Sequence, residues 1–376
     1  QLEGLRSVRL NSSMWTGYFW PNYQGGLGHR TADSNFPKAD WGKAHTYILA
    51  HGSATIDNDS LSPSEKYDVV MGISPEEDGS LTKQQWSVGA QEFADTGRVQ
   101  TWQGVCHGWA PASINLAVPW RPVVFSTRRG DITFTSNDIK ALGSLLYANG
   151  KFESSYVGFR CNTDSPRRER DGRNITPECF DVNPADWHII TTHHIGFAHR
   201  PFVVDMLSST QVWNKPIIGY SYAYYDIRRP SRMTYNLDEA LTRVEDARRL
   251  RFGSHRSPKA VWVVGITMTI THLEGGLVDV SMTNTKNMSY RYDLELDSAM
   301  RIVGGEWQDD NHPDFAWKPR YLSLPVTDGD SLTNTLTPWE AAVDKSWRPA
   351  AFKSNAQGAP LTKFVKYLFD FSGSAN

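Results

Sequence analysis

Trp102-Gln103-Gly104-Val105-Cys106-His107-Gly108-Trp109-Ala110-Pro111-Ala112-Ser113 sets the first of three cysteines among glycines and other small residues. Gly104 and Gly108 would let a substrate backbone come close to the sulfur. If Cys106 opens a helix, the open N–H groups and the dipole of its first turn favour thiolate over thiol. A cysteine nucleophile needs this, whereas most free cysteines are small buried hydrophobes, so both roles stay open on this stretch alone.

On either side of that stretch the chain has two textures. Up to about residue 150 it favours helices. Ser62-Pro63-Ser64-Glu65 is a capping box with proline at the first helical position, and it predicts a helix through Met71. A second helix is predicted from about Asp138 to Asn149, with Ile139, Leu142, Leu145 and Leu146 on one face and Gly150 ending it. Beyond that point the period becomes that of strands: Trp187 to Thr192, Phe202 to Asp205, Gly219 to Ile227 and Lys259 to His272. Gly275-Gly276 would turn the last of these into Leu277 to Met282, and Tyr290 to Leu296 and Arg301 to Trp307 continue the meander. Leu237 to Leu250 interrupts it as a helix. The expected fold class is α+β. A mainly helical lobe over residues 1–155 would carry the nucleophile, and a β-rich antiparallel lobe would cover 156–376, with an accessory part from about 310 and a cleft between the halves.

Charge and hydropathy exclude two kinds of partner. Lys and Arg number 39 against 41 Asp and Glu, a net charge of −2, so the chain has no basic field to hold nucleic acid. No apolar run approaches the roughly 20 residues of a membrane-spanning helix. An odd cysteine count suggests one bridge and one thiol. Cys161 and Cys179 flank a polar segment with little to bury, which a bridge would restrain by about 3 kcal/mol; two reduced thiols are the alternative. Sequons at Asn11, Asn58, Asn174 and Asn287, and a start at Gln1, fit a secreted, extracellular product from which a signal has been removed, and equally a trimmed chain.

A thiolate at neutral pH needs a cation beside it. His188 lies in the expected strand Trp187 to Thr192, and Asp205 ends the next strand, close enough in a two-stranded pairing to orient an imidazole. His193, His194 and His199 are rivals by position, while His107 is tied too near Cys106 to reach it from an opposite wall.

Several motifs resemble those of one family. Val105 to Ala112 is similar to the active-site signature of the transglutaminase elicitor family, found in oomycetes and marine Vibrio, and Ser62 to Asp68 to a motif upstream of it. Val212-Trp213-Asn214-Lys215-Pro216-Ile217-Ile218-Gly219-Tyr220 resembles the surface peptide by which plants detect these enzymes, marked by Trp213 and Pro216. Gly304 to Trp307 and Pro313 to Trp317 match family-like segments, so the likeness runs from about Trp20-Pro21 to Trp317. It departs at Lys215-Pro216-Ile217-Ile218, where glutamine and a basic residue are usual, which bears on plant recognition and not on catalysis.

The resemblance implies a papain-like core and a transglutaminase that joins protein glutamine and lysine side chains through a thioester on Cys106. His188 would be its base and Asp205 the orienting acid. The Cys106 N–H with Gln103 or Gln24 would hold the oxyanion, and Trp20, Trp102 and Trp109 would line the cleft. Partners would be proteins with accessible Gln and Lys side chains, together with an inhibitory pro-segment. Calcium is implied as well. Asp57-Asn58-Asp59-Ser60 and Asp309-Asp310-Asn311 offer hard oxygens, although solvated acidic turns are the commoner reason for such clusters. No CxxC or HExxH motif supports zinc, and no organic cofactor is expected. A papain-like protease or amidase would use the same triad with water as acceptor, and a non-catalytic elicitor protein would need only Val212 to Tyr220.

Overall fold

The computed structural model describes residues 5–11, 13–38, 40–163, 165–277, 283–333 and 347–373. The chain forms two compact units. One, mainly helical, takes residues 13–153, 274–284 and 320–376; the other, built on a sheet, takes 1–12, 154–273 and 285–319.

In the helical unit most helices begin where a side chain can accept an N–H of the first turn, each such cap contributing about 1 kcal/mol. Asp40 caps Trp41–Ala50, Ser80 caps Leu81–Thr96, and capping boxes open Pro63–Val70 (Ser62 with Glu65) and Ser136–Asn149 (Thr135 with Asp138). Ser136–Asn149 is the centre of this unit, with Ile139, Leu142, Leu145 and Leu146 buried as the sequence predicts. The helix Cys106–Asn115 lies against it at Gly108, where a Cβ would sit 2.0 Å from the Ser144 carbonyl oxygen. Thr362–Gly373 packs on the same helix at Gly143, whose added Cβ would meet the Phe369 ring at 2.7 Å. The hairpin Val123–Thr127 and Gly130–Phe134 adds Phe125, tilted against Phe364, and Phe134, edge-on to it. Two buried ion pairs, Arg30–Glu65 at 2.6 Å and Lys66–Asp138 at 2.8 Å, fix the Pro63–Val70 helix to its surroundings.

The sheet unit is antiparallel throughout. Its order is Ile302–Gly304, Thr285–Leu296, Trp262–Leu273, Asn214–Tyr225, Phe202–Asp205, Phe315–Pro319, Ser154–Gly158. Alternate residues of the three long strands make the core face: Ile266, Met268 and Ile270 lie beside Tyr220, Tyr222 and Tyr224 on one side and Tyr290 and Tyr292 on the other. Trp187, on the helix Pro184–Thr191, and Ile195 belong to the same core.

Several elements differ from the sequence expectation. Trp187 to Thr192 is not a strand but most of the helix Pro184–Thr191, followed by a wider turn over Thr192–Phe197. Asn183 accepts from the Ala185 N–H and Pro184 takes the first helical position, and these start signals outweigh the β-branched run Ile189 to Thr192. Leu237 to Leu250 divides into Leu237–Ala240 and Val244–Ala247 around the short strand Thr242–Arg243. The strand Trp262–Leu273 pairs with Thr285–Leu296, so Gly275-Gly276 lies in a longer link; Leu277 has no regular structure, and the remainder of the expected strand to Met282 is outside the described residues. The chain crosses between the units at 12/13, 153/154, 273/274, 284/285 and 319/320, so residues 1–12 lie with the sheet and not with the helices that follow them. Residues 320–376 return to the helical unit, so the second half of the chain is not one lobe.

Candidate active site

Cys106 is the first residue of the helix Cys106–Asn115. Val105, its N-cap, offers no side chain to the first turn, and Gly108 and Trp109 N–H groups both turn back onto the Val105 carbonyl. A sulfur at this position sits where backbone dipoles stabilise negative charge. Cys106 is outside the disulfide, which joins Cys161 to Cys179 as expected, and it is buried, with 5% exposure.

The segment Phe19–Asn22 lies along the loop before the helix. Val105 N donates to the Phe19 carbonyl at 2.7 Å and Asn22 N to the Gln103 carbonyl at 2.9 Å. At Gly104 a Cβ would meet the Phe19 carbonyl at 2.3 Å, so this glycine makes room for the chain's own backbone. Gly108 likewise serves helix packing and not, as the sequence suggested, the approach of a substrate. Trp20 holds a left-handed backbone at φ 46°, a conformation that costs a non-glycine residue about 1–3 kcal/mol and that collects near functional sites.

The helical unit thus brings Trp20, Gln103 and Cys106 into one layer. Gln24 is held at both ends of its amide, donating to the Tyr23 hydroxyl and accepting from the Tyr18 hydroxyl. Two of the three expected cleft tryptophans are core residues: Trp20 is 1% exposed and Trp109 fully buried, its indole N–H directed at the Trp15 carbonyl. Trp102 alone of the three keeps part of its surface, with its indole N–H on the Gln100 side chain.

His188 and Asp205 both lie in the sheet unit, and there they are not a hydrogen-bonded pair. His188 is fully buried; its Nδ1 is 2.7 Å from the Tyr292 hydroxyl and its Nε2 has no partner. Burial pushes the ring down to about 3, so it stays neutral. The base role expected for His188 asks for a ring that exchanges its proton, whereas this one is enclosed in the sheet core with the Tyr292 hydroxyl on Nδ1. Asp205 accepts from the Trp213 N–H at 2.7 Å and has Asp314 as its charged neighbour; burial, reinforced by that like charge, pushes it up to about 7. Among the described residues no imidazole is hydrogen-bonded to it. Among the positional rivals, His193 and His199 are exposed, and burial holds His194 down at about 4.

The surface peptide expected at Val212 to Tyr220 is largely interior. From Asn214 onward it forms the strand Asn214–Tyr225, bonded on both edges, with Pro216 buried opposite Val203. Only its start reaches solvent, where the half-buried Trp213 donates to the Gln211 side chain.

Neither acidic run offered for calcium fits a hard cation. The Asn58 side chain donates to the Arg129 and Asp131 carbonyls, and Asp310 is paired with Arg168 at 3.0 Å. Among the described residues the one group of three or more His, Cys, Asp or Glu whose donor atoms converge within 4.8 Å is Glu169, Asp171 and His255. It is already satisfied. Arg173 donates to His255 Nδ1, His255 Nε2 reaches Glu169 at 2.8 Å, and Arg251 holds the Asp171 carbonyl, so cations surround it. No step of the chemistry is therefore routed through a metal.

A family model described as "Transglutaminase elicitor" matches residues 2–329. The GP42 transglutaminase from Phytophthora sojae is similar in fold, with a TM-score of 0.59 at 20% identity over 94% of this chain and 93% of that one. No curated protein matches. Two units of helix and antiparallel sheet, and a cysteine opening a helix within its signature stretch, accompany a family match over most of the length, and the chain belongs to the transglutaminase elicitor family.

Proposed function

We propose that this protein is an extracellular protein-glutamine γ-glutamyltransferase whose nucleophile is Cys106. The observation that carries this is the position of the cysteine: outside the disulfide, at the first turn of a helix, within the residues that the transglutaminase elicitor family model matches.

The Cys106 sulfur attacks the side-chain carboxamide carbon of a protein-bound glutamine. Collapse of the tetrahedral adduct expels ammonia and leaves a thioester; a lysine amine then displaces the sulfur, and an isopeptide bond forms. The oxyanion of each adduct needs donors, a role this reading gives to the Cys106 backbone N–H at the start of its helix with the Gln103 side chain. An imidazole has to carry the proton from the sulfur to the departing ammonia and later from the incoming amine.

Three observations support the wider setting. The Cys161–Cys179 bridge suits an oxidising compartment. No helix among the described residues is long and apolar enough to cross a membrane. The interior position of residues 214–220 favours an enzyme over a protein whose role is to display that segment.

Incubation with a glutamine-rich protein and a fluorescent primary amine tests this, with and without calcium. Label should be fixed by the native protein and fall by about 1000-fold or more in Cys106→Ser. Cleavage of the acceptor protein without fixed label would instead identify a thiol protease.

A further inference from the structure

Within the helical unit, the helices Trp41–Ala50 and Leu81–Thr96 meet where Gly42 takes the Phe93 ring and Gly89 the Trp41 ring, which an added Cβ would approach to 2.5 and 2.8 Å. Trp41, His45, Ile48 and Leu49 share one face of the first helix, and Trp86 and Ala90 one face of the second. They line a cavity of about 520 Å³, within the range of sites that enclose a small ligand or a short piece of chain.

One end of this groove is aromatic. Trp41 and His45 stack at 4.4 Å, and Trp86 closes on them at 6.1 and 5.6 Å. Burial holds the His45 ring below its ordinary midpoint, so it stays neutral and does not repel a cation. Leu49 is 72% exposed, and the groove is open along that edge.

The other end carries a fixed charge. Just past the first helix, Glu76 Oε1 accepts the Ser53 N–H at 2.6 Å and Oε2 the Ser74 hydroxyl at 2.7 Å. Burial works against ionisation of this carboxyl, but those bonds outweigh it and hold Glu76 below the usual carboxylate range. Among the described residues no cation is paired with it. The other acids of the lining are both taken, Glu65 by Arg30 and Asp78 by Lys83, each at 2.6 Å. An apolar groove with one uncompensated negative charge at its end suits an occupant that is apolar along its length and positive at one end.

Length and bonding narrow the occupant further. From Trp41 to Gly52 the chain advances by about 16 Å, more than one side chain fills, so a segment of chain fits where a lone amine does not. A guanidinium seeks both oxygens of a carboxylate along one edge, and in Glu76 each oxygen already accepts a bond; an ammonium asks for a single point of contact. A diamine would bring a second charge for which the lining holds no open carboxylate.

We propose that this groove binds a segment of a partner protein that sets a lysine ammonium at Glu76 and an apolar side chain between Ile48, Leu49 and Ala90. The site goes beyond the transferase reading, because nothing in it involves the Cys106 sulfur. It holds a lysine-bearing partner on the unit that carries Cys106.

Calorimetric titration of the full chain as Cys106→Ser, in which no amine is fixed covalently, tests this. The probe is a capped tripeptide of leucine, serine and lysine, set against the same peptide with norleucine or arginine in place of lysine, and against cadaverine. The lysine peptide should bind saturably and the norleucine peptide about 10-fold more weakly or less. Glu76→Gln should bring the lysine peptide to the norleucine level, and Ala90→Phe, which fills the groove, should remove binding of both, each variant being checked for folding by circular dichroism. Equal binding of the lysine and norleucine peptides, binding of neither, or undiminished binding by either folded variant overturns the site. An arginine peptide or cadaverine that binds as tightly overturns the choice of occupant. A chain that binds the lysine peptide while the native protein transfers no amine keeps this site and loses the transferase reading.

Discussion

A sulfur is as reactive as its surroundings make it, and for Cys106 those surroundings were legible because glycines, an odd cysteine count and a family signature converge on one residue. The imidazole was not. His188 has suitable spacing from Cys106, but burial decides what a ring can do, and nothing in the spacing reveals that Tyr292 and the sheet core enclose it. His188→Ala should lower unfolding free energy by about 2–4 kcal/mol through the cavity and the stranded Tyr292 hydroxyl, as read by urea denaturation. The folded fraction should keep its amine-transfer rate. The buried carboxyls predict a pH effect of definite sign. Burial raises Asp181, Asp205 and Asp314 above the usual carboxylate range, and the charge of Asp314 adds to it at Asp181 and Asp205. The folded state therefore binds protons that the unfolded chain has released. Stability should fall as pH rises from about 4, the unfolded carboxylate value, through the folded midpoint near 7 of Asp205. Urea midpoints across that window should show the decline, and Asp205→Asn should flatten it; a rise with pH would contradict the burial argument.

Elements were legible where a start signal and a period agreed. Ser62 to Glu65 marks its helix through a cap that the structure forms, and the row Ile139, Leu142, Leu145 and Leu146 marks Ser136–Asn149. The helix Pro184–Thr191 was misread because a β-branched run followed an asparagine–proline start, and the start signal prevailed. Long strands were found but their pairing was not, since the partner of Trp262–Leu273 begins beyond a link no alternation records. Glycine was legible as a need for closeness, yet not for closeness to what. At Gly108 the close neighbour is the Ser144 carbonyl, 2.0 Å from an added Cβ. Gly108→Ala should force the two helices apart and cost about 1–3 kcal/mol, visible as a lowered thermal midpoint. If it is tolerated without loss, the glycine serves a ligand after all.

At the scale of the whole molecule, chain crossings were the least legible feature. The change of texture near residue 150 lies close to the crossing at 153/154, whereas no such change marks the one at 12/13, and the return of 320–376 to the helical unit depends on long-range packing such as Phe364 against Phe125 and Phe134. The disulfide closes a polar loop within the sheet unit alone. Replacing Cys161 and Cys179 together by serine should cost about 3 kcal/mol in denaturant titration, while Cys106 keeps its alkylation profile. Loss of that profile would mean that the loop and the nucleophile are coupled. The central claim concerns a covalent bond at one sulfur, and intact-protein mass spectrometry reads it directly. Given a glutamine-containing peptide and no amine, the native chain should gain the mass of the peptide less ammonia, located by fragmentation at Cys106, and release it when a primary amine is added. A mass that does not change, or an adduct that also forms on Cys106→Ser, would contradict the account.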